Sequence, residues 1–243
     1  MTFRSRMAVA SDHRRAAFVR GCASSAPVVV SFLLMFSSFG ALALEKGVST
    51  WHATAMTLLV FAAPLQLFMV QNLHVSAVAI AVAAVITNFR FFIMASALHV
   101  RFGRISLWKI FLSSIVLSAS TFAVSKGQTS DSEEDALYYY LGVGIMGLGS
   151  AFAGTLIGSL LLSLVDSQWL KVLAGIIMPL HFTALTALQW PALKPILMTA
   201  LGFLLTPIAM HWFGSWQAIV LPLGLAAIFV ACETGFEKQG RRR

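Results

Sequence analysis

The sequence predicts an all-α polytopic membrane protein, and three observations lead to that fold class. Of its 243 residues, 58% are hydrophobic and only 11% are charged. A soluble domain typically carries about 25% charged residues, so this chain has too few charges to cover a water-facing surface. Its apolar residues are gathered into about eight segments, each near the roughly 20 residues that a helix needs to cross a bilayer. This composition argues against a soluble enzyme and a secreted disulfide scaffold.

The segments form two groups of four around one polar loop, 127–135. They make up a single transmembrane domain, 21–233, preceded by a basic segment, 1–20, and followed by a basic tail, 234–243. All six tryptophans fall at segment edges, where the headgroup layer favours amphipathic rings. We see no internal repeat in the residues. The segments run over 21–44, 51–71, 75–98, 107–125, 136–164, 169–190, 194–212 and 214–233.

Orientation follows from the basic residues. The net charge of +8 arises largely at the two chain ends, which is typical of topology signals and of contact with anionic lipid, not of nucleic-acid binding. The first segment is longer than the apolar core of a signal peptide, so we expect it to be retained. Eight crossings with a cytoplasmic N-terminus leave most basic residues inside and predict an inner-membrane protein. Seven crossings, with 51–71 re-entrant, stay open because Arg101, Arg104 and Lys109 otherwise lie together outside.

Catalytic and metal-binding patterns are absent from the sequence. None of its nine carboxylates lies in the middle of an apolar segment, and there is no P-loop, HExxH motif or Cys/His ligand cluster. The two cysteines lie near the chain ends. We therefore expect no enzyme activity, no cofactor and no metal site, and no transport driven by ATP hydrolysis in this chain.

Arg90 is a charge placed deep within an apolar segment. A guanidinium at the centre of a membrane helix costs roughly 2.5–3.5 kcal/mol, so Arg90 is not expected to face lipid. We expect it in the interior near Asn88 or Gln66, where it would bind a substrate carboxylate through paired hydrogen bonds. The alternative is a structural arginine that reaches the headgroup layer or caps backbone carbonyls at a helix break.

Pro64 lies in the middle of segment 51–71 and is followed by Gln66. Proline lacks the backbone N–H and clashes with the carbonyl four residues earlier, so a broken or re-entrant helix is predicted here. Exposed backbone at this depth is tolerated only inside protein or along a cavity, and Gln66 adds an amide donor and acceptor. A merely kinked structural helix is the alternative.

His181, two residues after Pro179, is the best interior histidine. It is a candidate proton relay because the ordinary pKa of histidine lies near physiological pH. A neutral histidine that bonds between helices is the alternative.

Ser150, Gly154 and Gly158 recur four residues apart and share one helix face. Small residues at this spacing let two helices approach closely. We expect this face to pack against another helix of the same chain, with a subunit interface as the alternative.

Three motifs in order resemble the AzlC family of branched-chain amino acid permeases. The resemblance is good over 27–125 and weaker from Tyr138 onward. It implies a secondary exporter of valine, leucine and isoleucine that acts with a small AzlD-type membrane subunit. The candidate substrate-binding residues are then Gly40, Pro64, Gln66, Asn88 and Arg90. The motifs are Phe39-Gly40-Ala41-Leu42-Ala43 with Gly47-Val48-Ser49, Leu59-Val60-Phe61-Ala62 with Gln66, and Thr87-Asn88-Phe89-Arg90.

One stretch departs from the family pattern. Members often carry Thr-Asp-Glu before the phenylalanine of the fourth segment, where this chain has Ser118-Ala119-Ser120-Thr121-Phe122. The chain is therefore interpreted as a divergent member. We predict export of branched-chain or similar small apolar amino acids. The alternative is a non-transporting assembly or sensory subunit that retains the transporter fold.

Overall fold

The computed structural model describes the backbone of residues 3–102, 105–128, 132–164, 193–214 and 217–240, with isolated positions between 165 and 192. Within these ranges it describes all side chains except those of 3–11, 99–101, 195, 218–219 and 232–240. The described residues form helices and no strand, which confirms the all-α fold class. The helices are α1 (Phe3–Ser24), α2 (Ala26–Glu45), α3 (Thr50–Val60), α4 (Ala63–Gln71), α5 (Ala77–Arg101), α6 (Leu107–Ser113), α7 (Ala119–Lys126), α8 (Glu133–Leu164), α9 (Leu193–Phe213) and α10 (Gln217–Gly240).

Four helices in the described part are long and apolar enough to cross a membrane: α2, α5, α8 and α9. A 3-10 turn, Ser114–Val116, follows α6, and together they form a bent pair with α7 at an angle of 119°, which is either a broken span or a re-entrant loop. This structure supports four or five spans, so the predicted eight crossings stay a prediction. Segment 51–71 is divided between two short helices, and most of 169–190 lies outside the described residues.

The predicted first segment is divided at Ser25. Helix α1 runs through the basic segment and ends at Ser24, and α2 begins at Ala26. Pro27 lies in the first turn of α2, where its missing N–H would have had no helical partner. The Ser25 hydroxyl donates to the carbonyl oxygen of Cys22 at 2.6 Å, which helps to close α1.

Helix α8 packs against α1 and α2 and runs in the same direction. Arg14, in the middle of α1, pairs with Glu134 at the start of α8, and the Ser159 hydroxyl near the end of α8 donates to the Gly40 carbonyl near the end of α2, at 3.0 Å. This shared direction requires an even number of crossings between the starts of α2 and α8. Helices α2 and α5 supply two of these crossings. The α3–α4 segment and the bent pair therefore either both cross or both re-enter. The seven-crossing alternative, in which 51–71 alone re-enters, does not fit.

The small-residue face of α8 makes this contact. A Cβ at Gly154 would come within 2.7 Å of the carbonyl oxygen of Leu33, and one at Gly158 would overlap that of Ser37. Both partners lie on α2, so the prediction that this face packs within the chain is confirmed. The face is consequently not open to a subunit.

Aromatic residues form the core beside α2. The rings of Phe32 and Phe36 on α2 lie 5.8 and 6.1 Å from the ring of Phe61, the residue that follows α3. A second buried cluster surrounds Tyr140, whose hydroxyl donates to the carbonyl of Ser113 at 2.9 Å. The first cluster fixes the end of α3 against α2.

Contacts divide the chain into two compact units, Met1–Gln71 with Thr87–Met178 and Asn72–Ile86 with Pro179–Arg243. In the second unit α9 packs against α10, with Pro207 and Pro222 inside these helices. Thr199, Thr206 and Gln217 line a cavity of about 350 Å³ there.

Candidate functional site

The chain breaks between α3 and α4 at Phe61 and Ala62. The Phe61 N–H donates to the Thr57 carbonyl at 3.2 Å, and the Gln66 N–H donates to the Ala62 carbonyl at 3.0 Å. Pro64 has no N–H for the carbonyl of Val60, four residues earlier, so one helix cannot run through the segment intact. The predicted discontinuity around Pro64 is confirmed.

Phe61 turns the chain at this break. Its φ of +43° and ψ of 38° lie in the left-handed region, which is unusual for a bulky residue. The Phe61 ring is 5% exposed and stacks on that of Phe36. Aromatic packing therefore holds a backbone conformation that costs of order 1–3 kcal/mol by itself.

Three completely buried polar side chains lie at this break, and we call Thr57, Gln66 and Thr155 the hydroxyl–amide cluster. The hydroxyl oxygens of Thr57 and Thr155 lie 2.8 Å apart. The Gln66 Nε2 donates to the Thr57 hydroxyl oxygen at 3.3 Å. The cluster thus joins α3 and α4 to α8.

One atom of the cluster lacks a partner. The Gln66 Oε1 is buried and accepts no hydrogen bond from the residues that the structure describes. An unpaired buried acceptor costs about 1–3 kcal/mol, and such a group in a native fold calls for a specific explanation. The geometry therefore points to a donor from outside the described part of the chain.

Gly40 borders the cluster on α2. A Cβ there would overlap the carbonyl oxygen of Thr155, one residue of the cluster. The Ser159 hydroxyl bonds the Gly40 carbonyl one helical turn further along α8. Gly40 accordingly permits the close approach of α2 and α8 that holds Thr155 in place.

Asn88 and Arg90 lie in the middle of α5, where both are half-buried. The Asn88 Oδ1 and the Arg90 Nε are buried and find no hydrogen-bond partner among the described residues. The Arg90 Cζ lies 4.9 Å from the centre of the Phe91 ring, a cation–π distance. The expected interior position of Arg90 stays a prediction.

The structure brings some predicted site residues together and not others. Pro64 and Gln66 lie in the first turn of α4, and Gly40 packs against the backbone of Thr155, which is linked to Gln66 through Thr57. Within the described part of the chain, no hydrogen bond joins Gln66 to Asn88 or Arg90, so their nearness stays a prediction. His181 lies outside the described residues.

Sequence reasoning missed Thr57 and Thr155. Threonines are common in membrane helices, and neither residue stands out in its own segment. Thr155 follows Gly154 on the small-residue face, and this neighbourhood was the only available signal. The pairing depends on the α3–α8 register, which the sequence does not reveal.

A second break lies between the 3-10 turn and α7, at the stretch that departs from the family pattern. The Ser118 hydroxyl caps α7 by accepting from the Thr121 N–H at 3.0 Å. The two hydroxyls are bonded to each other at 2.7 Å and are buried. Unlike the hydroxyl–amide cluster, this pair is satisfied within the chain.

An ion pair joins the middle of α1 to the start of α8. The Arg14 Nε donates to a Glu134 carboxylate oxygen at 2.8 Å, and this hydrogen bond, with the negative charge of Glu134, raises the pKa of Arg14. A cavity of about 490 Å³ lies beside Glu134, Lys109 and Tyr138. Both side chains of the ion pair are exposed, so its contribution to stability is small.

Comparison with known proteins gives one match. The family model described as AzlC protein matches residues 27–165, more than half of the chain. This range runs from the second residue of α2 to just past the end of α8 and contains every residue of the hydroxyl–amide cluster. No curated protein and no solved structure matches the chain.

Proposed function

Because the chain belongs to the AzlC family, we propose that it is a secondary transporter that exports branched-chain or similar small apolar amino acids. The family is associated with branched-chain amino acid transport. The observation that carries the proposal is the α3–α4 break, where the buried Gln66 amide has an oxygen without a donor. Solute sites of membrane transporters are typically formed by broken helices with polar groups at the break.

The substrate carboxylate would bind at the start of α4 and at Arg90. The first N–H groups of a helix have no partners within it and carry the positive end of its dipole. In transporters such half-helix starts face anionic substrate groups. Pro64 supplies no N–H, which leaves those of Ala63 and Leu65, while Asn88 and the Arg90 guanidinium would add hydrogen bonds and charge.

The apolar part of the substrate would lie against the phenylalanines beside the break. Phe32, Phe36 and Phe61 form an aromatic wall next to the cluster. Burying a branched aliphatic side chain against such a wall stabilises the complex by roughly 1.5–3 kcal/mol. A polar side chain gains none of this energy, so the wall favours valine, leucine and isoleucine.

The transporter would lie in the inner membrane with a cytoplasmic N-terminus and act with a small AzlD-type subunit. The basic N-terminal residues support this orientation. Because α2 covers Gly154 and Gly158, the subunit would contact other apolar faces. His181 would serve as a proton relay if transport is coupled to protons.

A non-transporting assembly or sensory subunit is the second candidate. It is favoured by the absence of the acidic pair that family members often carry at the positions of Ala119-Ser120, where the flanking Ser118 and Thr121 instead bond each other. Such a protein would keep the fold and lose solute movement.

Efflux measurements test the proposal. Cells with and without the gene are loaded with labelled valine, leucine, isoleucine, methionine and glutamate, and loss of label is followed. We expect faster efflux of the apolar amino acids and no change for glutamate. Arg90→Leu should abolish export without loss of membrane insertion, whereas Arg15→Leu, at an exposed position of α1, is the matched control. Equal efflux with and without the gene would favour the non-transporting candidate.

A further inference from the structure

We propose that the hydroxyl–amide cluster binds the ammonium group of the substrate, so that the protein selects free amino acids over 2-oxo acids of the same shape. Gln66 Oε1 would accept an N–H from the ammonium, and Thr57 and Thr155 would hold the amide in place. The inference rests on the proposed function and assigns a chemical task that the sequence motifs leave open.

The first step is the orientation of the Gln66 amide. Thr57 has one hydroxyl proton, and two acceptors already lie near it: the Ala53 carbonyl at 3.2 Å and the Thr155 hydroxyl at 2.8 Å. The Thr57 hydroxyl oxygen therefore accepts the hydrogen bond that Gln66 Nε2 donates. The amide oxygen is left pointing away from the only cluster hydroxyl that the side chain bonds.

The second step concerns the other hydroxyl. Thr155 lies 3.0 Å from the Ala151 carbonyl, to which it donates when Thr57 does not take its proton. Each hydroxyl thus donates its proton either to the other hydroxyl or to a backbone carbonyl of its own helix. Neither is free for Gln66 Oε1, so the acceptor needs an external N–H or O–H donor.

The third step is the charge of that donor. The last carbonyls of α3 carry the negative end of its helix dipole, and the first N–H groups of α4 carry a positive end. Gln66 lies in the first turn of α4, which begins three residues after the end of α3. The two groups of a zwitterion complement these two helix ends, with the ammonium toward α3 and Gln66 and the carboxylate toward α4.

Neutral oxygens suit a ligand that must be released. The cluster contains no carboxylate, so it binds an ammonium through dipoles and not through a permanent ion pair. A hydrogen bond from a charged donor to a buried amide oxygen is stronger than one between neutral groups. A 2-oxo acid brings no donor and leaves Oε1 unpaired, which is the kind of mismatch that gives strong discrimination.

The test is equilibrium binding to the purified full chain. Labelled leucine is displaced by unlabelled leucine, by 4-methyl-2-oxopentanoate and by leucinamide. We expect the 2-oxo acid to compete at least about 10-fold more weakly than leucine, because it lacks the charged donor. Leucinamide keeps the ammonium but lacks the carboxylate, so Gln66→Leu should weaken its competition as it weakens that of leucine.

Variants of one helix sharpen the test. Gln66→Leu removes the amide and should weaken leucine binding about 10- to 100-fold with little change for the 2-oxo acid. Gln66→Glu keeps an acceptor and should retain leucine binding while excluding the 2-oxo acid further. Gln71→Leu, the same substitution at an exposed position of α4, is the matched control and should change neither.

Several results would overturn the inference. Equal competition by leucine and the 2-oxo acid in the unsubstituted chain would do so and would leave amino-acid transport intact. A Gln66→Leu variant that weakens both ligands alike would assign Gln66 a structural role only. If Gln66→Leu fails to fold, the wild-type competition and the Gln66→Glu result decide. A further contrary result would come from sodium in the absence of leucine. If sodium alone raises the melting temperature of the chain and Gln66→Glu changes that shift, the cluster oxygens bind a free cation instead of the substrate ammonium. A chain that binds no leucine refutes the proposed function itself.

Discussion

Gly158→Ala should destabilise the protein because α8 touches the backbone of α2 at this glycine. The new Cβ would overlap the Ser37 carbonyl oxygen, and backbone cannot move aside as a flexible side chain can. Overpacking costs about 1–3 kcal/mol, and displacing α8 would weaken the Ser159–Gly40 hydrogen bond, worth about 1 kcal/mol. Alanine regains about 1 kcal/mol of helix propensity, so the net loss is about 1–3 kcal/mol.

The same helix offers a matched control. A Cβ at Gly149 meets nothing within 4 Å, so Gly149→Ala should keep the whole helix-propensity gain of about 1 kcal/mol. Thermal unfolding of the purified variants compares them, at about 2–4 °C per kcal/mol for a chain of this size. We expect Gly158→Ala to melt below the wild type and Gly149→Ala at or above it. A Gly158→Ala variant as stable as Gly149→Ala would refute the close α2–α8 contact.

Three further changes probe the break and the ion pair. Thr155→Val keeps the volume of the side chain but removes its hydroxyl, so it should lower the free energy of unfolding by about 1 kcal/mol and weaken leucine binding. Thermal melting and ligand competition measure the two effects. Unchanged leucine binding would show that Thr155 is not part of the binding site. Phe61→Gly should be more stable than Phe61→Ala by about 1 kcal/mol, because only glycine relieves the left-handed backbone once the ring is gone; equal melting temperatures would contradict that conformation. Arg14→Gln should lower the free energy of unfolding by less than about 1 kcal/mol, and this loss should shrink when melting is measured at high salt. A larger loss that does not depend on salt would mean that solvent does not screen the Arg14–Glu134 pair.

Sequence reasoning found the features that depend on local covalent chemistry. Pro64 breaks the helix wherever the surrounding chain lies, because its missing N–H belongs to the residue itself. The face of Gly154 and Gly158 was likewise readable, since helical spacing alone places small residues together. The partner of that face, α2, was not readable, because close approach of two distant segments depends on tertiary packing.

Other features needed the three-dimensional structure. The bend before α7 contains no proline, and its cap at Ser118 is one of many serines in the chain. The hydroxyl–amide cluster joins Thr57 to Thr155, residues 98 positions apart. The sequence singled out Gln66 for its place after Pro64, but only burial and the hydrogen-bond pattern identified which of its atoms lacks a partner.

The two breaks are alike in topology and opposite in chemistry. Since α2 and α8 run in the same direction, the α3–α4 segment and the bent pair must both cross or both re-enter. At α7 the hydroxyls of Ser118 and Thr121 satisfy each other, whereas at α4 the Gln66 oxygen stays unpaired. This contrast supports our proposal that the ligand binds at the α3–α4 break and that the second break has a structural role.

Labelling at the three exposed positions His74, Ser106 and Ser132 tests this coupling. In a background with both native cysteines replaced by serine, His74→Cys and Ser106→Cys are exposed to a membrane-impermeant maleimide on intact cells. The predicted eight crossings place His74 inside and Ser106 outside, so only Ser106→Cys should react. If both segments re-enter, the pattern reverses and His74→Cys reacts alone. The third position, Ser132, follows the bent pair and lies inside in both of these cases, so Ser132→Cys should react only in permeabilised cells. Labelling of Ser132→Cys on intact cells would mean that one break crosses and the other does not, which the parallel packing of α2 and α8 forbids.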